Sequence, residues 1–296
     1  MGADLAAEYP AAHQVFEAVD RALGVEISTL CFHGREEDLT STQNAQPALL
    51  AHGAAVWAVV RDRLAPHVRA AAGHSLGEFT AYLAADALDL REGARLVRRR
   101  GELMFESGIR RPGAMAAIIG LEEAGVEEVC RRASHEDSVV VPANYNSPDQ
   151  LVISGEEGAV ERAMAAAKEA GAKRAIRLKV SGAFHSPLMH EASEGLRAAL
   201  VSAAIGEAVF PIYTNVSAKP ANGARDASRL LLEQLSAPVR WTSLVRNLAR
   251  DYPGSLYIEM GPGSVLTNLV KRIVPGTETA TCGTVADAKL LLSRIS

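Results

Sequence analysis

The sequence predicts an α/β protein whose larger part carries a mainly parallel sheet covered by helices, with a ferredoxin-like small domain inserted into it. Two observations carry this. Helical and strand-like segments alternate through residues 1–111 and 181–296, the pattern of parallel strands joined by helical crossovers. Between them, residues 112–180 read strand, helix, strand, strand, helix, strand, which is the order of a ferredoxin-like unit. A chain of 296 residues is long enough for one large domain with a second inside it.

Taken in order, alanine-rich helical periodicity covers residues 3–23 and 46–64, and "HVRAAAG" then reads as a short buried strand running into a turn. In the insert, "AMAAIIG" is a strand, "EEAGVEEVCRRA" a helix, "SVVVPANY" and "QLVISG" two strands around the turn "NSPD", "EGAVERAMAAAKEAG" a helix and "KRAIRLKV" a strand. Pro112-Gly113 and Ser181-Gly182 mark its edges. Beyond it, "HSPLMHEASEGLRAALVSA" is a helix and "FPIYTNV" a strand. "SRLLLEQLSAPVRWTSLVRNLARD" gives helical patterns broken by Pro238, and "SLYIEMGPGSVLTNLVKRI" is strand, glycine loop, helix.

Composition narrows the class of function. Apolar content of 48% and charged content of 22% are ordinary globular values, which excludes a disordered or fibrous chain. The net charge of −4, with no basic cluster interleaved with aromatics, argues against nucleic acid as a partner. Cys31, Cys130 and Cys282 are too few and too scattered for a disulfide framework or a zinc site, so a reducing cytoplasm is expected. No signal-peptide pattern and no apolar run of membrane-spanning length occurs, so no membrane association is expected. Neither H-E-x-x-H nor a P-loop pattern is present, and no metal site is expected.

Three places carry chemistry. In "AAAGHSLGEF", Ser75 stands between Gly73 and Gly77 after a strand and before a helix. That is the nucleophile-elbow pattern, in which a tight turn exposes the serine oxygen. The helix start aims the Leu76 backbone N–H at the same spot, where an oxyanion could form. A serine N-cap with two turn glycines is the other reading of the same five residues. Further on, Arg95, Arg98, Arg99 and Glu102 share a polar helix face, while Arg100 falls among Leu96, Val97, Leu103 and Met104. A guanidinium there needs an anion, either an internal Asp or Glu or a substrate carboxylate. Third, His185 in "SGAFHSPLMH" sits where the last insert strand returns and a helix begins. Strand-end loops carry many catalytic side chains in α/β sheets, so the place suits a general base, although His190 lies in the same stretch.

"GHSLGE", Arg100 in "RRRGELM", "SGAFHSPLM", "LLLEQLSAPVRW" and "EMGPGSVL" occur in the order and approximate spacing of the malonyl-CoA:acyl carrier protein transacylases, and "NAQPALL" and "NYNSPDQLVISG" also resemble that family. The resemblance covers nearly the whole chain. It implies an α/β-hydrolase-like large domain, Ser75 as nucleophile, His185 as its base and Arg100 as partner of the malonyl carboxylate. Gln234 matches the position whose backbone carbonyl orients the histidine, and Gln46 and Asn144 match polar positions of the cleft. Phe184 resembles malonyl-selecting members, where a bulky ring leaves little room for an α-methyl group. The implied reaction uses malonyl-CoA and the phosphopantetheine thiol of an acyl carrier protein, with no cofactor of its own, in a monomer serving fatty acid or polyketide synthesis.

In one respect the sequence departs from the family. Members start with a strand ending in a Gly-Gln-Gly-Ser-Gln loop that supplies a second oxyanion donor, and no such loop precedes "MGADLAAEYP". The expectation is that this chain begins just after it and is slower and less stable than a form extended upstream. Two other functions remain open on the sequence: a serine hydrolase of thioesters or esters, and a catalytically impaired relative that binds the carrier protein.

Overall fold

The computed structural model describes residues 1–295. Five helices open the chain: α1 (Ala3–Glu8), α2 (Pro10–Leu23), α3 (Ile27–His33), α4 (Glu36–Thr40) and α5 (Thr42–Leu64). The helix expected over 3–23 is thus two. Tyr9 is extended, the conformation a following proline favours, and Pro10 restarts the helix at its first position, where no N–H is missed. Strand β1 (Ala71–Ala72), α6 (Gly77–Ala84) and α7 (Leu90–Arg110) follow. Asp89 caps α7 by accepting the Arg91 and Glu92 N–H groups.

The crossing of α5 and α7 prepares the site. Pro47 removes one N–H from α5 and so frees the carbonyl of Gln43, which Arg98 of α7 takes up at 3.1 Å. A Cβ on Gly101 would lie 2.8 Å from the Thr42 carbonyl oxygen, so only glycine lets the helices approach this closely. Arg100 is carried in beside Gln46 as a result.

The middle segment comprises β2 (Ala114–Ile119), α8 (Glu123–Ala133), β3 (Val140–Ser147), β4 (Gln150–Gly155), α9 (Glu157–Glu169) and β5 (Arg174–Arg177). Its strands pair antiparallel in the order β3-β4-β2-β5. Because side chains alternate along a strand, Ala114, Ala116 and Ile118 pack under α8 and α9, while Met115 and Ala117 face the other way with Ala143, Val152 and Phe184. Three hydrogen bonds fasten β3 to the segment after Pro238: Tyr145 N–H to the Val239 carbonyl at 2.9 Å, Val239 N–H to the Ala143 carbonyl at 2.8 Å, and the Thr242 hydroxyl to the Tyr145 carbonyl at 2.9 Å.

The chain then runs through α10 (His190–Ala203), β6 (Ile212–Tyr213), α11 (Gly223–Glu233), α12 (Trp241–Asp251), β7 (Tyr257–Met260), α13 (Val265–Ile273), β8 (Thr279–Cys282) and α14 (Val285–Arg294). Every strand pair outside the insert is parallel, and the strands form two pairs, β1 with β6 and β7 with β8. "HVRAAAG" and "FPIYTNV" contribute only two paired residues each, enough to set Ala71 opposite Ile212 and Ala72 opposite Tyr213. Helices α3, α4 and α14 and strand β8 lie outside the elements that the sequence pattern predicts. A signal for α14 was present in Thr284 and Asp287, which form a reciprocal capping box at its start. Among the described residues no helix is long and apolar enough to cross a membrane.

Candidate active site

The turn between β1 and α6 places Ser75 at φ 51°, a left-handed conformation that a non-glycine residue adopts only where its surroundings impose it. The two flanking glycines are not equivalent. A Cβ on Gly73 would stand 1.9 Å from the Gly77 carbonyl carbon, whereas one on Gly77 would meet nothing within 4 Å. Gly73→Ala is therefore expected to destabilise the fold by at least about 3 kcal/mol, and Gly77→Ala to stay within about 0.5 kcal/mol of wild type. Urea unfolding of the two variants measures the difference, and equal midpoints would contradict the close approach.

Ser75 Oγ lies 2.8 Å from Nε2 of His185, another residue held at positive φ, 56°. On the far side of the ring, Nδ1 is 2.8 Å from the backbone carbonyl of Gln234. A carbonyl only accepts, so Nδ1 carries the ring proton and Nε2 is the acceptor for the serine hydroxyl. Burial, followed by the positive charge of Arg100, pushes the imidazole down to about 3. The ring is neutral, and the free lone pair of Nε2 can take the Ser75 proton.

Arg100 is 1% exposed, as its place on the apolar face of α7 requires. Nη1 donates to Gln46 Oε1 at 2.7 Å, and Nη2 donates to Gln234 Oε1 at 3.0 Å and to Ser75 Oγ at 3.1 Å. Nε has no partner among the described residues, and no Asp or Glu oxygen lies within ion-pair distance. Of the two readings left open by the sequence, the internal salt bridge is thereby set aside. A fully buried cation held by neutral amides beside the serine can receive a substrate carboxylate. Its own pKa is pushed down to about 10 by burial, which still leaves it charged at neutral pH.

Against this geometry stand the relatives. Residues 1–288 match the acyl transferase domain family. The malonyl CoA-acyl carrier protein transacylase of Bacillus subtilis (strain 168) is 42% identical over 274 residues, which span 92% of this chain and 86% of that one. The chain belongs to the malonyl CoA-acyl carrier protein transacylase family. Solved structures similar to it include the acyl carrier protein S-malonyltransferase from Vibrio cholerae, with 39% identity, a TM-score of 0.94 and coverage of 98% of this chain and 94% of that one. A malonyl-transacylase solved in complex with its type II PKS acyl-carrier protein also superposes with a TM-score of 0.94, at 39% identity over 99% of this chain and 94% of that one.

The other positions expected from the sequence fall into two groups. Gln46 joins the cluster directly, its Oε1 on Arg100 and its Nε2 3.0 Å from Met104 Sδ. Leu76 fits as well, because its backbone N–H donates to no acceptor among the described residues and sits at the α6 start. Asn144 is buried in β3 at the register shift opposite Val152, bridged to Val239, and no hydrogen bond joins its side chain to Ser75, His185 or Arg100. Its neighbour Asn146 makes the link from the insert instead, with Oδ1 2.8 Å from Nε2 of His74. Phe184 lies half-buried between the large core and the insert face carrying Met115 and Val152. His190 is exposed at the start of α10, which leaves His185 as the histidine of the site.

One residue at the centre of the network, Asn215, and the side-chain bonds of a second, Gln234, were not expected. Asn215, fully buried after β6, accepts the Ser75 N–H on Oδ1 at 2.6 Å and donates from Nδ2 to the Gly73 carbonyl at 2.7 Å. Gln234 was expected to act through its backbone alone. Its side chain also binds Arg100, the Ser75 carbonyl and Glu78. A polar residue in "IYTNV", directly after a strand, was the available signal for Asn215.

Proposed function

We propose that this chain transfers the malonyl group of malonyl-CoA to the phosphopantetheine thiol of an acyl carrier protein, through a malonyl ester on Ser75, in fatty acid or polyketide synthesis. The observation that carries the reading is the position of Ser75 Oγ, 2.8 Å from the neutral Nε2 of His185 and 3.1 Å from Arg100 Nη2. Nucleophile, base and carboxylate receptor meet at one oxygen.

In the first half, Oγ bonds to the thioester carbonyl carbon as its proton passes to Nε2. The C–S bond then breaks, and coenzyme A leaves as the thiol with that proton. In the second half, the carrier thiol gives its proton to Nε2 and its sulfur bonds to the ester carbon. Ser75 leaves and recovers the proton. The Leu76 N–H at the α6 N-terminus is suited to the oxyanion formed in each half. His185 is backed by a neutral carbonyl, in place of the carboxylate of a hydrolase triad, so the imidazolium is less stabilised and water is activated less well than a thiol. That favours transfer over hydrolysis. The reading includes a monomer working in the cytoplasm without a cofactor of its own; three free cysteines, all buried, agree with a reducing compartment.

Intact-mass measurement after mixing with malonyl-CoA tests the proposal. Wild type is expected to gain one malonyl group and lose it to holo carrier protein, while Ser75→Ala gains none. An adduct undiminished in Ser75→Ala would refute the assignment, and free malonate released faster than malonyl-carrier would favour the hydrolase.

A further inference from the structure

Glu78 has no part in the steps above, yet its side chain is fully buried beneath them. Such burial is expensive for a carboxyl unless hydrogen bonds offset it. One oxygen, Oε2, accepts from the Asn215 backbone N–H at 2.9 Å and from Gln234 Nε2 at 2.8 Å. The other, Oε1, has no partner among the described residues. Among the described residues Glu78 forms no ion pair, and its charge reaches Arg100 only through space.

What the two partners do next gives the carboxyl its importance. Asn215 holds the Ser75 N–H through Oδ1 and the Gly73 carbonyl through Nδ2, and Gln234 Nε2 donates to the Ser75 carbonyl at 3.0 Å. Both backbone polar groups of the strained serine are thus gripped by residues that Glu78 grips in turn. We propose that Glu78 is a positioning residue for acyl transfer: through Asn215 and Gln234 it fixes the peptide groups of Ser75 and so keeps Oγ between His185 and Arg100. The proposal rests on the reading of Ser75 as the acyl carrier.

Reach, and not charge, is what this role demands. Burial pushes the carboxyl up to about 7, so a proton is shared between solution and site near neutral pH. A proton on the unpartnered Oε1 leaves Oε2 accepting both bonds. An amide oxygen at the same place would accept both as well. Aspartate would keep the charge and withdraw the acceptor by one methylene.

Glu78→Asp and Glu78→Gln separate these demands when single-turnover malonylation of Ser75 is followed by quenched intact mass, beside thermal unfolding of each variant. Glu78→Asp is expected to acylate about 10²-fold more slowly at saturating malonyl-CoA, the effect of a misplaced reacting group, with half-saturation changed less than about threefold. Glu78→Gln is expected within about threefold of the wild-type rate. A fast Glu78→Asp variant, or a Glu78→Gln variant as slow as Glu78→Asp, overturns the proposal. Should Glu78→Asp fail to fold, Asn215→Ser removes the amide that holds the Ser75 N–H and leaves the bond from the Asn215 backbone to Glu78 in place. It is expected to slow acylation about tenfold, and an unchanged rate overturns the proposal. A wild-type chain that forms no adduct refutes the Ser75 reading itself, an outcome distinct from a wild-type adduct accompanied by a fast Glu78→Asp variant.

Discussion

His185→Ala is expected to slow malonylation of Ser75 by about 10²–10⁴-fold while leaving malonyl-CoA affinity nearly unchanged. The imidazole touches Oγ and the Gln234 carbonyl, so its loss removes the proton acceptor and spares Arg100 and its amide partners. Burst kinetics of coenzyme A release measure the rate, and a slowdown of less than about tenfold would mean that another group takes the proton. The low pKa of the ring adds a second expectation. With His185 at about 3 in the folded chain, kcat/KM does not halve near 6.5, where a free imidazole would be half protonated.

The same shift couples to stability. Between 6.5 and about 3 the unfolded chain holds a proton on His185 that the folded chain refuses, so this contribution to stability is lost as pH falls through that window. Glu78 has the opposite sign. Its folded pKa is raised from 4.5 to about 7, so its contribution is full below 4.5 and lost as pH rises toward 7. In His185→Ala the first of these two slopes is removed and the second kept, and its urea midpoint relative to wild type is expected to improve from pH 7 to pH 5.

What could be read from the sequence was local. Ser75 was legible because a strand, two glycines and a helix start encode an elbow over five residues, and Arg100 because a charge on an apolar helix face contradicts its neighbours. His185 was legible from its place at the end of the last insert strand. The order of elements from β2 to β5 was legible too, since these strands join by a short turn and helices of ordinary length. Asn215 and the side-chain role of Gln234 were not, because their partners lie far away in the chain: Asn215 pairs with Ser75 across 140 residues, and Gln234 with Arg100 across 134. The parallel pairing of β1 with β6 brings Asn215 to the elbow, and no short pattern announces a two-residue pairing. Glu78 offered a signal of the kind that revealed Arg100. It stands with Phe79 and Tyr82 among the buried residues of α6, yet a glutamate in the first turn of a helix also has an ordinary reading, a charge favoured by the helix dipole. Asn144 shows the reverse limit. The resemblance matched it to a polar position of the cleft, whereas its neighbour Asn146 makes the hydrogen bond to His74.

Arg100→Ala is expected to lower malonylation far more than acetylation of the same serine. Acetyl-CoA has the thioester and lacks the free carboxylate, so the ratio of the two rates isolates the guanidinium's contact with that carboxylate from its contact with Oγ. Breaking a desolvated charge-assisted pair typically costs about 2–5 kcal/mol, and the lower end alone is about thirtyfold in the ratio. The fold should survive. Gln46 Oε1 and Gln234 Oε1 lose a donor, at about 1–3 kcal/mol for each buried acceptor left unpaired, while a buried cation with no ion-pair partner is removed. Arg100→Lys sharpens the test because an ammonium keeps the charge but lacks the planar fork that serves Gln46 on one nitrogen and Gln234 and Ser75 on the other. It is expected to retain a preference for malonyl over acetyl at a rate below wild type. Rates falling equally for malonyl and acetyl in Arg100→Ala would assign the guanidinium to holding Ser75 and Gln234 in place, and recognition of the carboxylate would have to lie with another residue.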